Sequence, residues 1–129
     1  VIRKHLWRPL KTSGSERVIP LVGAALWASQ RLSDTVSGQF LFPQYVDGIA
    51  TNANSASAAL NKWMKTFLPK ECVVHGMRHA FRDRLRAVKA PNDMIDQLGG
   101  WSLQSVGQGY GDGFSTHQTN QAMLKLTTD

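Results

Sequence analysis

Two apolar stripes at helical spacing limit what this chain can fold into. The first runs through Ala56, Ala59, Leu60, Trp63, Met64 and Phe67, the second through Met77, Ala80, Phe81, Leu85 and Val88. Both recur at steps of three and four residues, so each lines one side of an α-helix. The spacing predicts helices over Ser55–Phe67, with Ser55 as N-cap, and over Met77–Lys89. Trp63 is expected in the core, and Lys62 and Lys65, off the stripe, in solvent. Pro69 stops the first helix, and Ala90-Pro91 breaks the second. Pro91 then suits the first position of a further helix, with Asp93 near the positive end of its dipole. Met94, Ile95 and Leu98 form its buried side, and Gly99-Gly100 ends it. Val22–Leu32 reads as a helix packed through Leu26 and its alanines. Ser115–Leu126 reads as a last helix with a thin stripe at Ala122, Met123 and Leu126.

The N-terminal end has a different pattern. Val1–Leu10 interleaves Val, Ile, Leu and Trp with charges, as a strand does. Thr12-Ser13-Gly14-Ser15 is turn chemistry, and Glu16–Leu21 reads as the returning strand, with Pro20 at its end. Gln39–Phe42 is expected to be a brief strand, and residues 43–54 a loop holding Tyr45. The expected fold class is therefore α+β, mainly α-helical, with a small N-terminal antiparallel β-hairpin. At 129 residues the chain is one domain's worth, and 42% apolar content marks it as globular. Its one cysteine, Cys72, permits no internal disulfide and fits a reducing compartment. Beside Val73 and Val74, that thiol is expected to be buried. The apolar run at 18–28 is interrupted by Pro20 and Gly23 and is too short to span a bilayer, so no membrane partner is expected.

The chemistry is concentrated between His75 and Tyr110. A formal net charge of +6 favours a polyanionic partner. Off the second stripe stand Arg78, Arg82, Arg86 and Lys89, spaced three or four apart. Such a face is commonly just solvated. Here it begins at an arginine three residues after His75, so the two can share one side of a helix start, where free backbone N–H groups also favour phosphate. An arginine fork can hold two phosphate oxygens, and the Trp101 indole adds a donor. Tyr110 is a candidate nucleophile, although a free phenol ionises only near pH ~10 and needs help. Gly107, Gly109, Gly111 and Gly113 around it would let it swing, or would simply make an idle loop. Tyr45, the only other tyrosine, is the control. His75 and His79 are four apart, as in zinc helices. Gly76 stands where a catalytic Glu would, Arg78 would repel a cation and no third ligand is evident, so no metal is expected. The alternating glycines do not make a dinucleotide site, because Phe114 occupies the third place.

His75-x-x-Arg78, Gly100-Trp101 and Tyr110, taken in that order and spacing, resemble the tyrosine recombinase (phage integrase) family. So does Leu10-Lys11-Thr12 followed by Arg17-Val18-Ile19-Pro20-Leu21, which is similar to the family's lysine hairpin. The resemblance covers nearly the whole chain. It implies the C-terminal part of the catalytic domain, truncated on its N-terminal side, without the DNA-gripping domain. It implies breakage and rejoining of double-stranded DNA. Tyr110 would attack the scissile phosphate, with Arg78 and Trp101 stabilising its charge, His75 carrying a proton and Lys11 acting as general acid for the departing 5′ oxygen. Arg82, Arg86 and Lys89 would track the DNA backbone, and His79 would be a half-buried, hydrogen-bonded structural ring. No cofactor is implied, since the phosphotyrosyl link conserves the bond energy.

The resemblance further implies a C-terminal helix (115–127) that docks on a neighbouring protomer, and a cytoplasmic protein of bacterial or phage origin. The family also has a second clamp arginine upstream of the hairpin in an Arg-x-x-Glu pattern. Arg3 and Arg8 precede Lys11 outside such a pattern, so the 129 residues alone are expected to cleave poorly or not at all. Three alternatives stay open at this point. They are a catalytically silent DNA-binding module of the same fold, a type IB topoisomerase-like enzyme, and a globular interaction domain with no DNA role.

Overall fold

The computed structural model describes residues 1–12, 15–101 and 113–127. These residues are mainly helical: α1 (Gly23–Thr35), α2 (Ala53–Met64), α3 (Gly76–Ala87), α4 (Asn92–Gly99) and α5 (Thr116–Leu124), with single 3-10 turns at Pro43–Tyr45 and Lys125–Thr127. No helix among the described residues is long and apolar enough to cross a membrane. Tyr110, the glycines at 107, 109 and 111, and the turn residues Ser13 and Gly14 lie outside the described residues.

The core is small and sits at the C-terminal end of the chain. Leu85 of α3, Met94, Ile95 and Leu98 of α4, Met123 of α5 and Val22 bury together. Ile19, Phe81, Trp101, Phe114 and Leu126 close in around them. Thus α4 and α5 pack as expected from their stripes, whereas α3 turns Phe81, Leu85 and Val88 inward and leaves Met77 and Ala80 exposed. α5 starts in a capping box, in which Ser115 accepts from the Gln118 N–H and the Gln118 side chain accepts from the Ser115 N–H. A cap of this kind contributes about 1 kcal/mol. The helix docks on its own domain: Met123 is buried and the Leu126 carbonyl accepts from Arg84 Nη2 at 2.6 Å.

Several expectations are corrected by packing. α2 is capped by Asn52, whose side chain accepts from the Ser55 N–H at 3.0 Å, so Ser55 is in the first turn and not the cap. Of the α2 stripe only Met64 is buried; Trp63 is 60% exposed and lies edge-on to Phe67 at 4.7 Å. Likewise α1 buries nothing, Leu26 is exposed, and Arg31 stacks over an exposed Trp27. Cys72 is exposed, not buried. Residues 39–42 form no strand.

The N-terminal segment is not a continuous strand either. His5 and Arg8 pair through reciprocal backbone bonds around a turn at Leu6-Trp7. Trp7 stacks on His5 and meets Phe40 edge-on, which folds the segment back on itself. What remains of the hairpin pattern is one antiparallel bridge, Ile2 with Arg17, closed by N–H···O bonds of 2.7 and 3.0 Å.

The loop before α2 is tied by a carboxylate. Asp47 Oδ1 accepts from the Ala50 N–H at 2.6 Å and the Ile49 N–H at 2.8 Å. These bonds, Ala50 first, hold its carboxyl below the ordinary value of 3.8. A depressed carboxyl adds stability that is present above its unfolded pKa and disappears as pH falls through the folded one. Amide exchange at Ile49 and Ala50 is therefore expected to gain an acid-side opening below pH ~3.8 that Asp47→Asn lacks, as hydrogen-exchange NMR would record.

Candidate functional site

Two adjacent glycines at the end of α4 let other side chains approach the backbone closely. Gly100 closes the helix in the left-handed region, at φ 63°. The Trp101 N–H returns to the Asp96 carbonyl at 3.0 Å, and the indole folds back over Gly99. A β-carbon on Gly99 would overlap the ring, and one on Gly100 would strike the guanidinium of Arg17. The paired glycines thus do more than stop a helix. They let an aromatic plane and an arginine lie directly on the backbone.

Arginines gather on this turn. Arg78, from the first turn of α3, donates Nη1–H to the Gly99 carbonyl at 2.8 Å and lies over the Trp101 ring, 4.4 Å from its centre. Arg82, one turn on, also faces the ring at 5.0 Å and pairs with the buried Asp96 at 3.4 Å. Its Nε–H is buried with no partner among the described residues. Arg17 donates Nε–H to the Leu98 carbonyl at 3.1 Å and Nη1–H to the Ser15 carbonyl at 2.8 Å. Burial first, and then the nearby Arg78 charge, hold the Arg17 guanidinium below its ordinary value. Among the described residues, Arg82 is the one of the three arginines with an ion pair to a carboxylate. Arg17 and Arg78 thus lie close enough for their charges to repel.

The expected residues are brought together only in part. Arg78 and Trp101, far apart in sequence, are in direct contact. Arg82, expected on the DNA-facing side, is instead turned to Asp96 and Trp101, because a buried carboxylate needs a cation. Arg86 is exposed and pairs with Asp83, and Lys89 is exposed at φ 58°, where it closes α3. His75 precedes α3 without capping it, and its ring meets that of His79 edge-on at 5.5 Å. His79 is exposed, not the half-buried ring expected, because α3 turns its other side to the core through Phe81 and Leu85. Lys11 is exposed and enters no ion pair among the described residues. Tyr110 lies outside them.

One expected feature is missing from the helix start. The N–H groups of Gly76, Met77 and Arg78 are taken by the carbonyls of Val73, Val74 and His75. The chain enters α3 through tight i→i+3 turns, with Val74 pinned by Asn61 Oδ1 at 2.8 Å. An anion here would be held by side chains and not by the helix end. The open hollow formed by residues 43–54 contains Asp47 and none of these arginines.

Arg17, which the sequence marks only as part of the hairpin segment, holds a place in the site that its spacing does not announce. Along 15–19, exposure alternates: Glu16 and Val18 face solvent, while Arg17 and Ile19 turn inward, and Ile19 packs on the core. A charged residue on the inward side of a period-two segment is the signal that marks it. No family model, curated protein or solved structure matches the chain.

Proposed function

We propose that this chain is the C-terminal part of a tyrosine recombinase catalytic domain, a cytoplasmic enzyme that breaks and rejoins double-stranded DNA. The reading is supported above all by one observation: Arg78 lies over the Trp101 ring and is anchored to the Gly99 carbonyl. That arrangement pre-aims a guanidinium and presents an indole beside it, the pairing that a phosphate in transit needs.

In this reading Tyr110 Oη attacks the scissile phosphorus and its proton passes to His75. The bond to O5′ breaks, and O5′ takes a proton from Lys11. The product is a 3′-phosphotyrosyl link and a free 5′ hydroxyl, with no metal or nucleotide consumed. Arg86 and Lys89, the exposed cations at the end of α3, run along the DNA backbone. The Ile2–Arg17 bridge is the base of the lysine hairpin. α5, though docked on its own core, would carry contacts to a second protomer on DNA.

The test is covalent trapping on a pool of nicked duplexes of randomised sequence, with the chain in its natural sequence context. Denaturation should leave DNA attached through its 3′ phosphate, and peptide mapping should place it on Tyr110 and not on Tyr45. Enrichment of one sequence favours a recombinase, while trapping without preference favours a type IB topoisomerase. Binding should weaken steeply with salt. Salt-insensitive binding with no adduct would overturn the proposal.

A further inference from the structure

We propose that Arg17 is a positioning residue that fastens the lysine-bearing turn to the phosphate-binding turn, and so sets where Lys11 delivers its proton. The inference rests on the recombinase reading above. One planar side chain spans two segments distant in sequence. Its Nε–H holds the Leu98 carbonyl, two residues from Gly100, and its Nη1–H holds the Ser15 carbonyl. Ser15 in turn donates its N–H to the Thr12 carbonyl at 3.1 Å, and the two hydroxyls share a bond of 2.9 Å. Thr12 is the neighbour of Lys11. A continuous set of hydrogen bonds therefore runs from the end of α4, where Trp101 and Arg78 meet, to the residue beside the proposed acid. The Ile2–Arg17 bridge fixes the backbone of Arg17 at the same point.

The exposed Lys11 makes this fastening matter. A lysine on a long flexible stem, with no ion pair among the described residues, takes its aim from its backbone. Arg17 is not itself the acid, because a guanidinium does not give up its proton in proteins. Its two carbonyl contacts use the fork geometry that lysine cannot reproduce.

The experiment uses the DNA site recovered in the trapping selection, prepared with a 5′ oxygen or a bridging 5′ sulfur at the scissile bond. A thiolate leaves without protonation, so the sulfur substrate removes the need for a general acid. Lys11→Ala is the reference. Arg17→Lys is expected to slow cleavage of the oxygen substrate by about 10²-fold, within the range for a lost general acid. On the sulfur substrate it should stay within about threefold of the unmodified protein, as Lys11→Ala should. Arg17→Gln, which keeps one amide donor, is expected to fall between. Equal losses on both substrates would overturn the inference, since a fold defect or a direct phosphate contact slows both alike. Equal activity on both, unchanged from the parent, would overturn it too. If the unmodified protein forms no adduct with either substrate, the recombinase reading itself fails and this inference with it. If it does cleave and Lys11→Ala is not rescued by sulfur, the acid is another group and the inference fails while the enzyme stands.

Discussion

Arg78→Lys is expected to lower the rate of covalent trapping on nicked DNA by about 10²- to 10³-fold, the loss typical of one pre-aimed donor at a developing charge. Charge is conserved in this change, so the size of the loss measures geometry. Arg78 does two things at once: its guanidinium lies over the indole, 4.4 Å from the ring centre, and it holds the Gly99 carbonyl at 2.8 Å. Its remaining N–H groups then point in a fixed direction. A lysine ammonium is a strongly hydrated point charge with no plane to stack and no fork to offer two phosphate oxygens. Duplex affinity should change little, with at most one counterion's worth of salt slope lost. Trp101→Phe separates the two roles of the indole, keeping a ring under Arg78 while removing its N–H. A trapping rate in Arg78→Lys equal to the parent's would show that the arginine does not touch the reacting phosphate.

The helices were largely legible because local periodicity and local breakers create them. α3 and α4 lie where the stripes place them, with Pro91 one residue outside α4 as its cap, and Gly100 ends α4 with a positive φ as its glycine suggests. Burial was not legible to the same degree. A stripe says which side of a helix is apolar, not whether anything covers it, and so Trp63 and Leu26 were expected inside and stand outside. The strand pattern of Val1–Leu10 is interrupted by a turn at Leu6-Trp7, where Trp7 also meets Phe40, a contact that no short window on the sequence contains.

The site divides along the same line. Arg78 and Trp101 could be named from spacing because both lie at helix ends that the sequence marks clearly. Arg17 could not, because its importance comes from Leu98 and Ser15, which it joins across the fold. Arg82 shows the converse. It belongs to a regular basic spacing, yet Asp96, buried at 4% exposure, captures it. Charge spacing along a helix cannot reveal an acid supplied by the next helix.

Leu85→Ala is expected to destabilise the fold by about 2–5 kcal/mol, whereas Trp63→Ala should cost only ~0.5–1 kcal/mol, a comparison that chemical denaturation can make directly. By size alone the order would be reversed, since tryptophan carries far more apolar surface than leucine. Position decides it. Leu85 has 0% exposure at the centre of the core formed by α3, α4 and α5, so removing its branch leaves a cavity lined by residues such as Ile95, Leu98 and Met123. Trp63 already meets water and gives up mainly its edge contact with Phe67. A fold held by so few fully buried side chains has little reserve, because a domain's net stability is only about 5–15 kcal/mol. Leu85→Ala should therefore also weaken the site at a distance: Leu98 and Ile95 hold α4 in place, and the Gly99 carbonyl at the end of α4 is the anchor of Arg78. Equal losses in the two variants would mean that α2 is as deeply packed as α3, and the core described above would have to be redrawn around Trp63.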